Sequence, residues 1–511
     1  MSTHVIAVDL AAVYRKPGRK EYLHTLAWGD YVEVVETTAS HLKIATVRYE
    51  ERPDGTIEPI RTDAYICPTK SSKVKPADVV IPVAESRVLK VNVVDVQQGD
   101  GAVIESPDGR VILVDGGDNQ LFARYLAARY RGTSLANPKE IDCIVVTHGD
   151  ADHFAGLTEI HASETCSEPK KRLFIAPKRV YHNGLVKRPS KDKNNKAIPD
   201  KKLLGRTRVV DGKTWITGLE EDLLAVDDAQ MNLPFRTWKR ALTAWNARSP
   251  VAIRSTAFGD ATAFDFFNRP DLNLAIDVLG PIRRTKGSVT GLPFLGDPPK
   301  GPRIGHDSLS QGEAGFSGFS ASHTINGHSI VLRIRYGGFS YLFCGDLNDE
   351  SGRILARKHQ AGEVNLRSEI FKVPHHGSAD FSGALFGMVS PVVSIISSGD
   401  ESAQKEYIHP RATLMGALGK HSRVDEPLIF VTELVAFFNV EGWSRRKDPK
   451  AHKKRGDFFG FSRTAYGIVK TRTDGERMLV YTDSGKAEMK EAYAYRIGVG
   501  GEVEVSEVKR V

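Results

Sequence analysis

The pattern of apolar and polar positions first marks out a short N-terminal part of the chain. Residues 1–88 contain alternating runs such as "YVEVVETT" and "HLKIATVRYEE", separated by turns at "PDG" and "WGD". Alternation with a period of two is typical of half-buried β-strands. The pattern therefore predicts a small all-β unit, which ends in the linker-like stretch "SSKVKPADVVIPVAESR".

A second part, residues 89–483, mixes strand and helix patterns. "VLKVNVVDV", "RVILVDGG" and "IDCIVV" are apolar runs of strand length, and "NQLFARYLAARYRG" has helical spacing. Strand patterns return at "SIVLRIRY", "FSYLFCGD", "EIFKVP", "PVVSIIS" and "PLIFVTEL". "YGIVKTRTDGERMLVYT" predicts a hairpin with Asp474 and Gly475 at its turn. The order of elements predicts an α/β (α+β) domain.

Two stretches interrupt this pattern. Residues 167–322 are basic and rich in Pro and Gly, and residues 436–463 combine basic and aromatic side chains. The first is too long for an ordinary loop. We expect both to be insertions, the first with partial structure of its own, and we expect residues 484–511 to form a C-terminal tail.

Composition excludes several classes of protein. The 511 residues are 41% hydrophobic and 26% charged, which is ordinary for a globular protein. No apolar run reaches the roughly 20 residues that cross a bilayer, and the N-terminus lacks the pattern of a secretory signal. The four cysteines form no CxxC pair, which argues against a disulfide framework. We expect a cytoplasmic protein without membrane contact.

Positive charge is concentrated in one place. The net charge is +8, but residues 170–208 hold 14 Lys or Arg against Asp192 and Asp200, a local charge of +12 that leaves −4 for the rest. Concentrated charge of this kind fits a loop that binds a polyanion. It fits equally a solvated loop that only aids solubility.

Residues with metal-binding chemistry follow the predicted strands. The first cluster is "THGDADHFAGL", which directly follows "IDCIVV" and contains His148, Asp150, Asp152 and His153. By itself it is also compatible with a capped helix that carries surface histidines. Further candidates stand at other strand ends: Asp115, Asp346, His375, His376 and His409. Loops at strand ends converge on one edge of a sheet, so the whole set predicts a metal site.

The same motifs carry a family resemblance. "VDG", "THGDADHFAGL", "FCGD", "PHHGS" and "HP" resemble the metallo-β-lactamase fold, and more closely the hydrolase domain of ComEC, the bacterial DNA-uptake protein. "VNVVDVQQGDGAVIESPDGRVILVDGG" and "NGHSIVLRI" resemble the same family, over 89–482 apart from the insertions. The resemblance implies a four-layer αββα sandwich. The N-terminal unit resembles SH3-like domains. The transmembrane channel of ComEC is absent, so DNA transport is not implied.

The resemblance also implies ligand roles. His148 and Asp150 would bind one divalent ion; Asp152, His153 and His409 would bind a second; Asp346 would bridge them. Asp115 is expected to orient a ligand. The third ligand of the first ion has no sure counterpart, although His323, Asn326 and His328 lie near enough in sequence. We therefore expect one or two ions, zinc or manganese, with magnesium as a third candidate, because extra carboxylates make the site harder.

A divalent ion activates water, which predicts a metal-dependent hydrolase. Asp152 would orient the attacking water, and His375 or His376 would donate a proton or contact the oxyanion. The basic stretches favour a phosphodiesterase or nuclease acting on DNA or RNA. Its substrate-binding candidates are Lys170, Lys171, Arg172, Arg445, Arg446, Lys453 and Lys454, followed by Phe458, Phe459 and Phe461.

Two alternatives remain open from the sequence. One is a hydrolase of a small phosphodiester, ester or lactone, with the insertion as a lid. The other is a binding module that keeps the fold without catalysis. In any of these cases the SH3-like unit is a candidate surface for a protein partner.

Overall fold

The computed structural model describes residues 4–53, 57–296, 318–399, 409–434, 437–439, 462–465, 467–483, 490–498 and 500–511. Its N-terminal part is a seven-stranded antiparallel sheet in the order β3-β2-β6-β5-β4-β1-β7. The strands are β1 (His4–Ile6), β2 (Leu10–Lys16), β3 (Lys20–Ala27), β4 (Tyr31–Thr37), β5 (Leu42–Glu51), β6 (Ile57–Ile66) and β7 (Val80–Pro82). The expected strand-rich N-terminal unit is confirmed.

A ten-stranded sheet follows, in the order β17-β14-β12-β10-β9-β8-β28-β29-β30-β31. Its strands are β8 (Leu89–Val94), β9 (Ala102–Glu105), β10 (Val111–Val114), β12 (Cys143–Val145), β14 (Arg179–His182), β17 (Ala252–Ser255), β28 (Ile468–Thr473), β29 (Arg477–Thr482), β30 (Ala492–Ile497) and β31 (Val503–Ser506). The four strands from β10 to β17 pair in parallel. The antiparallel pair β28 and β29 confirms the predicted hairpin.

A six-stranded sheet has the order β18-β21-β22-β23-β24-β25 and is parallel from β22 onward. Its strands are β18 (Leu274–Gly280), β21 (Val331–Tyr336), β22 (Phe339–Phe343), β23 (Ile370–Lys372), β24 (Val393–Ile396) and β25 (Leu428–Val431). Smaller sheets are formed by β11 (Lys139–Ile141) with β13 (Ile175–Pro177), by β15 (Thr207–Val210), β16 (Lys213–Ile216), β19 (Arg284–Lys286) and β20 (Val289–Pro293), and by β26 (Phe437–Asn439) with β27 (Ser462–Ala465).

The described residues contain seven α-helices, six of which cover the two large sheets. The seven are α1 (Leu121–Arg129), α2 (Ala151–Ser163), α3 (Leu233–Arg248), α4 (Ala321–Gly327), α5 (Asp349–Gln360), α6 (Gly383–Val389) and α7 (Ala412–His421). One core joins the two sheets, a second joins the ten-stranded sheet to α1, α2 and α3, and a third joins the six-stranded sheet to α5, α6 and α7. The sheets therefore face each other and carry their helices outside.

The helix α3 shows how local sequence supports this packing. The Asn232 side chain accepts a hydrogen bond from the Phe235 backbone N–H and so caps the first turn. Phe235, Trp238, Leu242 and Trp245 recur with helical spacing and are buried in the second core. Burying three such aromatic side chains contributes several kcal/mol, because each stabilises by about 1.5–3 kcal/mol.

Part of the segment 167–322, which we expected to be an insertion, belongs to the two large sheets. Its strands β14 and β17 extend the ten-stranded sheet, and β18 forms the edge of the six-stranded sheet. Residues 436–463, the second expected insertion, lie mostly outside the described residues. The domain boundary at 483 also needs correction.

Residues 484–511 were expected to form a tail. Instead, β30 and β31 complete the ten-stranded sheet, and the side chain of Val511 packs into the N-terminal core. The backbone of Leu10 pairs with the same C-terminal segment, since its carbonyl accepts from Val511 N–H at 2.9 Å. The short alternating run in "AYAYRI" carries the strand signal that the tail prediction missed.

Candidate metal centre

The candidate residues of both sheets meet at the carboxyl ends of their parallel strands. His148 and α2 follow β12, and Asp115 follows β10, in the ten-stranded sheet. Asp346 follows β22, and His375 and His376 follow β23, in the six-stranded sheet. The two sheets are joined here by a hydrogen bond from Ile330 N–H to the Thr147 carbonyl, 2.8 Å long.

Four side chains form the centre of the site: Asp152, His153, Asp346 and His376. Their ligand atoms all lie within 4.8 Å of one another. Asp346 is 3.2 Å from His153 Nε2 through one oxygen and 3.2 Å from His376 Nε2 through the other, and His376 Nε2 is 3.6 Å from Asp152 Oδ2. All but Asp152 are buried.

The donor set fits a divalent ion. Two carboxylates and two imidazoles at one point are ligands that zinc, manganese and iron accept. His148 Nε2 adds a buried atom that has no hydrogen-bond partner among the described residues and lies 3.8 Å from Asp346 Oδ2. An unpaired polar atom in a buried position is costly unless something binds it.

The electrostatics of the centre also favour a cation. Burial acts to raise the pKa of Asp346, but His153 and His376 outweigh burial and bring the pKa well below its ordinary value. Burial acts to lower the pKa of His376, but Asp346 and Asp100 raise it to about 10. Both directions show that the carboxylates set a negative potential that stabilises positive charge here.

A buried carboxylate lies behind each of the two central histidines. Asp115 Oδ2 is 2.8 Å from His153 Nδ1 and also accepts from the Thr147 hydroxyl at 2.6 Å. His376 Nδ1 lies 3.2 Å from the Ser397 carbonyl oxygen and 3.2 Å from Asp100 Oδ1, and Asp100 also pairs with the buried ammonium of Lys372. This geometry fixes the ring orientation of a ligand histidine.

Sequence reasoning gave no role to Asp100, Lys372 or Gln98. Gln98 Nε2 donates to Asp152 Oδ2 at 3.0 Å. In the sequence, Gln98 and Asp100 belong to the recognisable "QQGDG" turn, and Lys372 stands directly before "VPHH". The loop needs glycine, because Gly99 has φ +100° and a Cβ there would lie 1.7 Å from the Asp152 carbonyl oxygen.

Asp150 lies apart from the central group. It is the N-cap residue of α2, and its Oδ1 accepts from Lys187 Nζ at 2.7 Å. With the Asn326 amide nitrogen facing it, its Oδ2 accepts from Asn326 at 3.1 Å. Burial raises the pKa of Asp150, and Lys187 opposes that rise.

His375 and His376 differ in where they point. Both have φ 51°, a left-handed conformation that costs a non-glycine residue of order 1–3 kcal/mol and clusters at functional sites. His376 enters the centre, whereas the partly exposed His375 places Nε2 4.0 Å from Asp346 Oδ2. The His409 ring lies 6.3 Å from that of His375, and His409 is not among the four central residues. Burial, followed by His375, lowers the pKa of His409 to about 4.

The other histidine candidates have partners elsewhere. His328 Nε2 lies 2.7 Å from the Pro293 carbonyl oxygen, and His323 Nδ1 lies 3.2 Å from Asp380 Oδ2. Asn326 is the one of the three candidates that reaches Asp150.

Some predicted substrate-binding residues are distant from the centre. Lys170, Lys171 and Arg172 follow the far end of α2, about 20 Å from its first turn at 1.5 Å per residue. Lys171 pairs with Glu168, and Arg172 donates to the Cys166 carbonyl. The structure does not bring these three side chains to the site. Arg445, Arg446, Lys453, Lys454 and the phenylalanines 458, 459 and 461 lie outside the described residues.

Comparison with known proteins agrees with this site. Residues 94–168 match the metallo-beta-lactamase superfamily. Competence protein ComA of Neisseria gonorrhoeae is 35% identical over 97 residues, which are 19% of this chain and 13% of ComA. ComE operon protein 3 of Bacillus subtilis (strain 168) is 32% identical over 98 residues, 19% of this chain and 12% of that protein. The chain thus matches about an eighth of the length of these relatives.

Residues 94–168 are therefore similar to the metallo-beta-lactamase superfamily. Over about 100 residues the chain also resembles the ComEC-type competence proteins. A solved structure, that of CmlA, a diiron beta-hydroxylase from Streptomyces venezuelae, aligns with a TM-score of 0.31 and 14% identity over 70% of this chain and 54% of CmlA. No helix in the described part of the chain is long and apolar enough to span a membrane.

Proposed function

We propose that the protein is a metal-dependent phosphodiesterase that cleaves nucleic acid. The observation that carries the proposal is an exposed basic segment next to the metal centre. Lys187 contacts Asp150, and four residues later the chain begins a run of exposed cations: Lys191, Lys193, Lys196, Lys201, Lys202, Arg206 and Arg208. Cations that follow a surface beside a hydrolytic centre suit a phosphate backbone.

The basic segment is held close to the site by specific contacts. Asp200 accepts from the Ala321 N–H at 2.8 Å, at the start of α4. Lys201 Nζ lies 4.9 Å from the centre of the Phe319 ring, a large apolar side chain that is 40% exposed. The same first turn of α4 contains Ser322, whose Oγ is 3.5 Å from Lys187 Nζ. An exposed aromatic ring beside a lysine suits base stacking together with phosphate contact.

The residues of the centre have distinct proposed roles. Asp152, His153, Asp346 and His376 would hold a divalent ion, with His376 in the place that sequence reasoning gave to His409. When bound, the ion supplies a lowered pKa for water and polarises a phosphoryl oxygen. Asp152, itself fixed by Gln98, orients the attacking water. Asp115 and Asp100 hold the two histidine rings in place.

His375 is the proposed proton donor to the leaving oxygen. Its Nδ1 has no hydrogen-bond partner among the described residues, and its side chain is partly open to solvent beside Asp346. An imidazole in such a position can donate a proton to a bound substrate.

The proposal also extends to architecture. We interpret the two facing sheets with their outer helices as the four-layer αββα sandwich, which the three separate cores support. We interpret the N-terminal sheet as the SH3-like unit, which its antiparallel strand content supports.

A cleavage assay with matched charge variants tests the proposed substrate. The full chain with added Mn²⁺ is given single- and double-stranded DNA, RNA and bis(p-nitrophenyl) phosphate. Asp152→Ala combined with His153→Ala serves as the inactive control. A triple Lys→Glu variant at 191, 193 and 196 is expected to lose polynucleotide cleavage but keep cleavage of the small ester. The same reversal at 170, 171 and 172 is expected to leave both unchanged.

Raising salt from 50 to 200 mM should weaken polynucleotide cleavage by one or more orders of magnitude, because each phosphate contact releases counterions. Cleavage of the small ester alone, with polynucleotides untouched, would favour a small-substrate hydrolase in which segment 187–208 acts as a lid. Metal binding without cleavage of any phosphodiester would contradict the proposal.

A further inference from the structure

Both carboxylate oxygens of Asp150 are engaged by donors of the protein itself. Lys187 Nζ donates to Oδ1 at 2.7 Å. With the Asn326 amide oriented so that its nitrogen faces Asp150, it donates to Oδ2 at 3.1 Å. The side chains of Asp150 and Lys187 are only 21% and 24% exposed, so this pair is part of the wall of the site. Asp150 is not among the four residues of the central group.

Lys187 is fixed in this position from both sides. Its backbone carbonyl accepts from Asn232 N–H at 2.9 Å, at the cap of α3. The next residue, Arg188, donates its N–H to the Leu203 carbonyl at 2.8 Å. The Lys187 side chain thus extends toward Asp150 from a backbone that is fixed by hydrogen bonds. Its ammonium also lies 3.5 Å from Ser322 Oγ.

Among the described residues, the ligand atoms around Asp150 are too few for a second ion. The close groups of three or more possible ligands are the central four and the cluster of Asp100, Asp115 and His153 behind them, and neither group contains Asp150. His148 Nε2 is a buried imidazole nitrogen that lacks a hydrogen-bond partner among the described residues and is available to an ion. His328 contacts the Pro293 carbonyl oxygen and His323 contacts the Asp380 carboxylate. The amide of Asn326 faces Asp150. The central group, by contrast, has four ligand atoms at one point.

We infer that the centre holds a single divalent ion and that the ammonium of Lys187, anchored by Asp150, takes the place of a second. The inference rests on the proposed function of the same site. It assigns Lys187 the second positive charge, which a phosphate oxygen of the substrate would contact. A cation fixed beside Asp150 repels a second divalent ion and competes with it for the Asp150 carboxylate.

Metal stoichiometry tests this assignment without reference to cleavage. The full chain is stripped with chelator and titrated with Mn²⁺ by calorimetry, and the loaded protein is examined by electron paramagnetic resonance at low temperature. We expect one Mn²⁺ per chain and the spectrum of a magnetically isolated ion. Lys187→Ala is expected to bind a second Mn²⁺ and to show the spectrum of an exchange-coupled pair.

Two further variants make the test specific. Lys187→Arg keeps the charge and is expected to bind one ion, as the unaltered protein does. Lys171→Ala, at the far end of α2, is expected to change nothing. Circular dichroism melting checks that each variant folds.

Two Mn²⁺ with a coupled spectrum in the unaltered protein would overturn the inference. A single ion in Lys187→Ala at millimolar Mn²⁺ would overturn the role of Lys187. If instead the expected stoichiometries are found and no phosphodiester is cleaved, the proposed function fails while the single-ion assignment stands.

Discussion

Replacing Asp115 by Asn tests whether the buried carboxylate behind His153 determines metal affinity. Asp115 is fully buried and accepts three hydrogen bonds: Thr147 N–H at 2.7 Å, the Thr147 hydroxyl at 2.6 Å and His153 Nδ1 at 2.8 Å. Asn has nearly the same shape and tolerates the left-handed backbone of this position, φ 55°. The change therefore removes charge and one acceptor oxygen with little change of volume.

The size of the effect follows from those bonds. With the amide oxygen kept toward His153 and the Thr147 hydroxyl, the Thr147 N–H loses its acceptor, which costs about 1–3 kcal/mol of unfolding free energy. The neutral amide also holds the imidazole less firmly than the carboxylate does. Loss of such a partner typically lowers metal affinity by about 10–100-fold, or about 1.4–2.7 kcal/mol.

Competition with a chelator of known affinity measures the metal Kd, and urea unfolding of the metal-free protein measures stability. Asp142→Asn is the matched control, since Asp142 stands at the opposite end of β12 and accepts from Val111 N–H at 2.9 Å. That variant should bind metal as the unaltered protein does. Metal affinity within twofold of the unaltered protein in a folded Asp115→Asn variant would refute the orienting role.

Two further predictions concern stability. Burial acts to raise the pKa of Glu105, but Lys90 and Arg129 lower it to about 2 from an ordinary value of 4.5. The ionised Glu105 therefore stabilises the folded state above pH 5, and this stabilisation is lost as the pH falls toward 2. Its magnitude is at most about 3 kcal/mol, because the buried Lys90 loses solvation in forming the ion pair. The stability gap between Glu105→Gln and the unaltered protein should narrow over that range in urea titrations. Gly99→Ala should destabilise by more than about 2 kcal/mol and reduce metal affinity, because its Cβ meets the Asp152 carbonyl.

Each of these has its own control. A Glu105→Gln gap that does not change between pH 7 and pH 3 would contradict the assigned pKa. For Gly99, the control is Gly212→Ala, whose φ of +72° is similar but whose Cβ would meet nothing within 4 Å. It isolates the backbone cost, so an equal loss in both variants would show that the contact with Asp152 contributes nothing.

The strand ends were the most informative part of the sequence. Because β10, β12, β22 and β23 are buried on both faces, they form continuous apolar runs in the sequence. The polar residues that follow these runs are therefore easy to identify. The amino-acid pattern alone therefore predicts Asp115, His153 and Asp346 as residues of the site. The order of the strands then brings these ends to one edge.

What the sequence did not reveal depends on tertiary contacts. Asp150 is one of four acidic or basic residues in a metal-like motif, but its partner Lys187 lies 37 residues away. His376, which has a left-handed backbone, belongs to the central group and His409 does not, and no local sequence pattern predicts this difference. The net charge of residues 170–208 likewise combines cations at the far end of α2 with cations beside the site.

The centre draws His153 from one sheet and Asp346 and His376 from the other, across the core that joins them. An ion bound there would connect the two halves of the domain through its ligands. Binding of the ion would then raise the free energy of unfolding, by about 2.7 kcal/mol at a free ion concentration 100 times the Kd. With such an ion, the resistance of this chain to unfolding would depend on metal supply, and metal depletion alone would weaken the contact between the sheets.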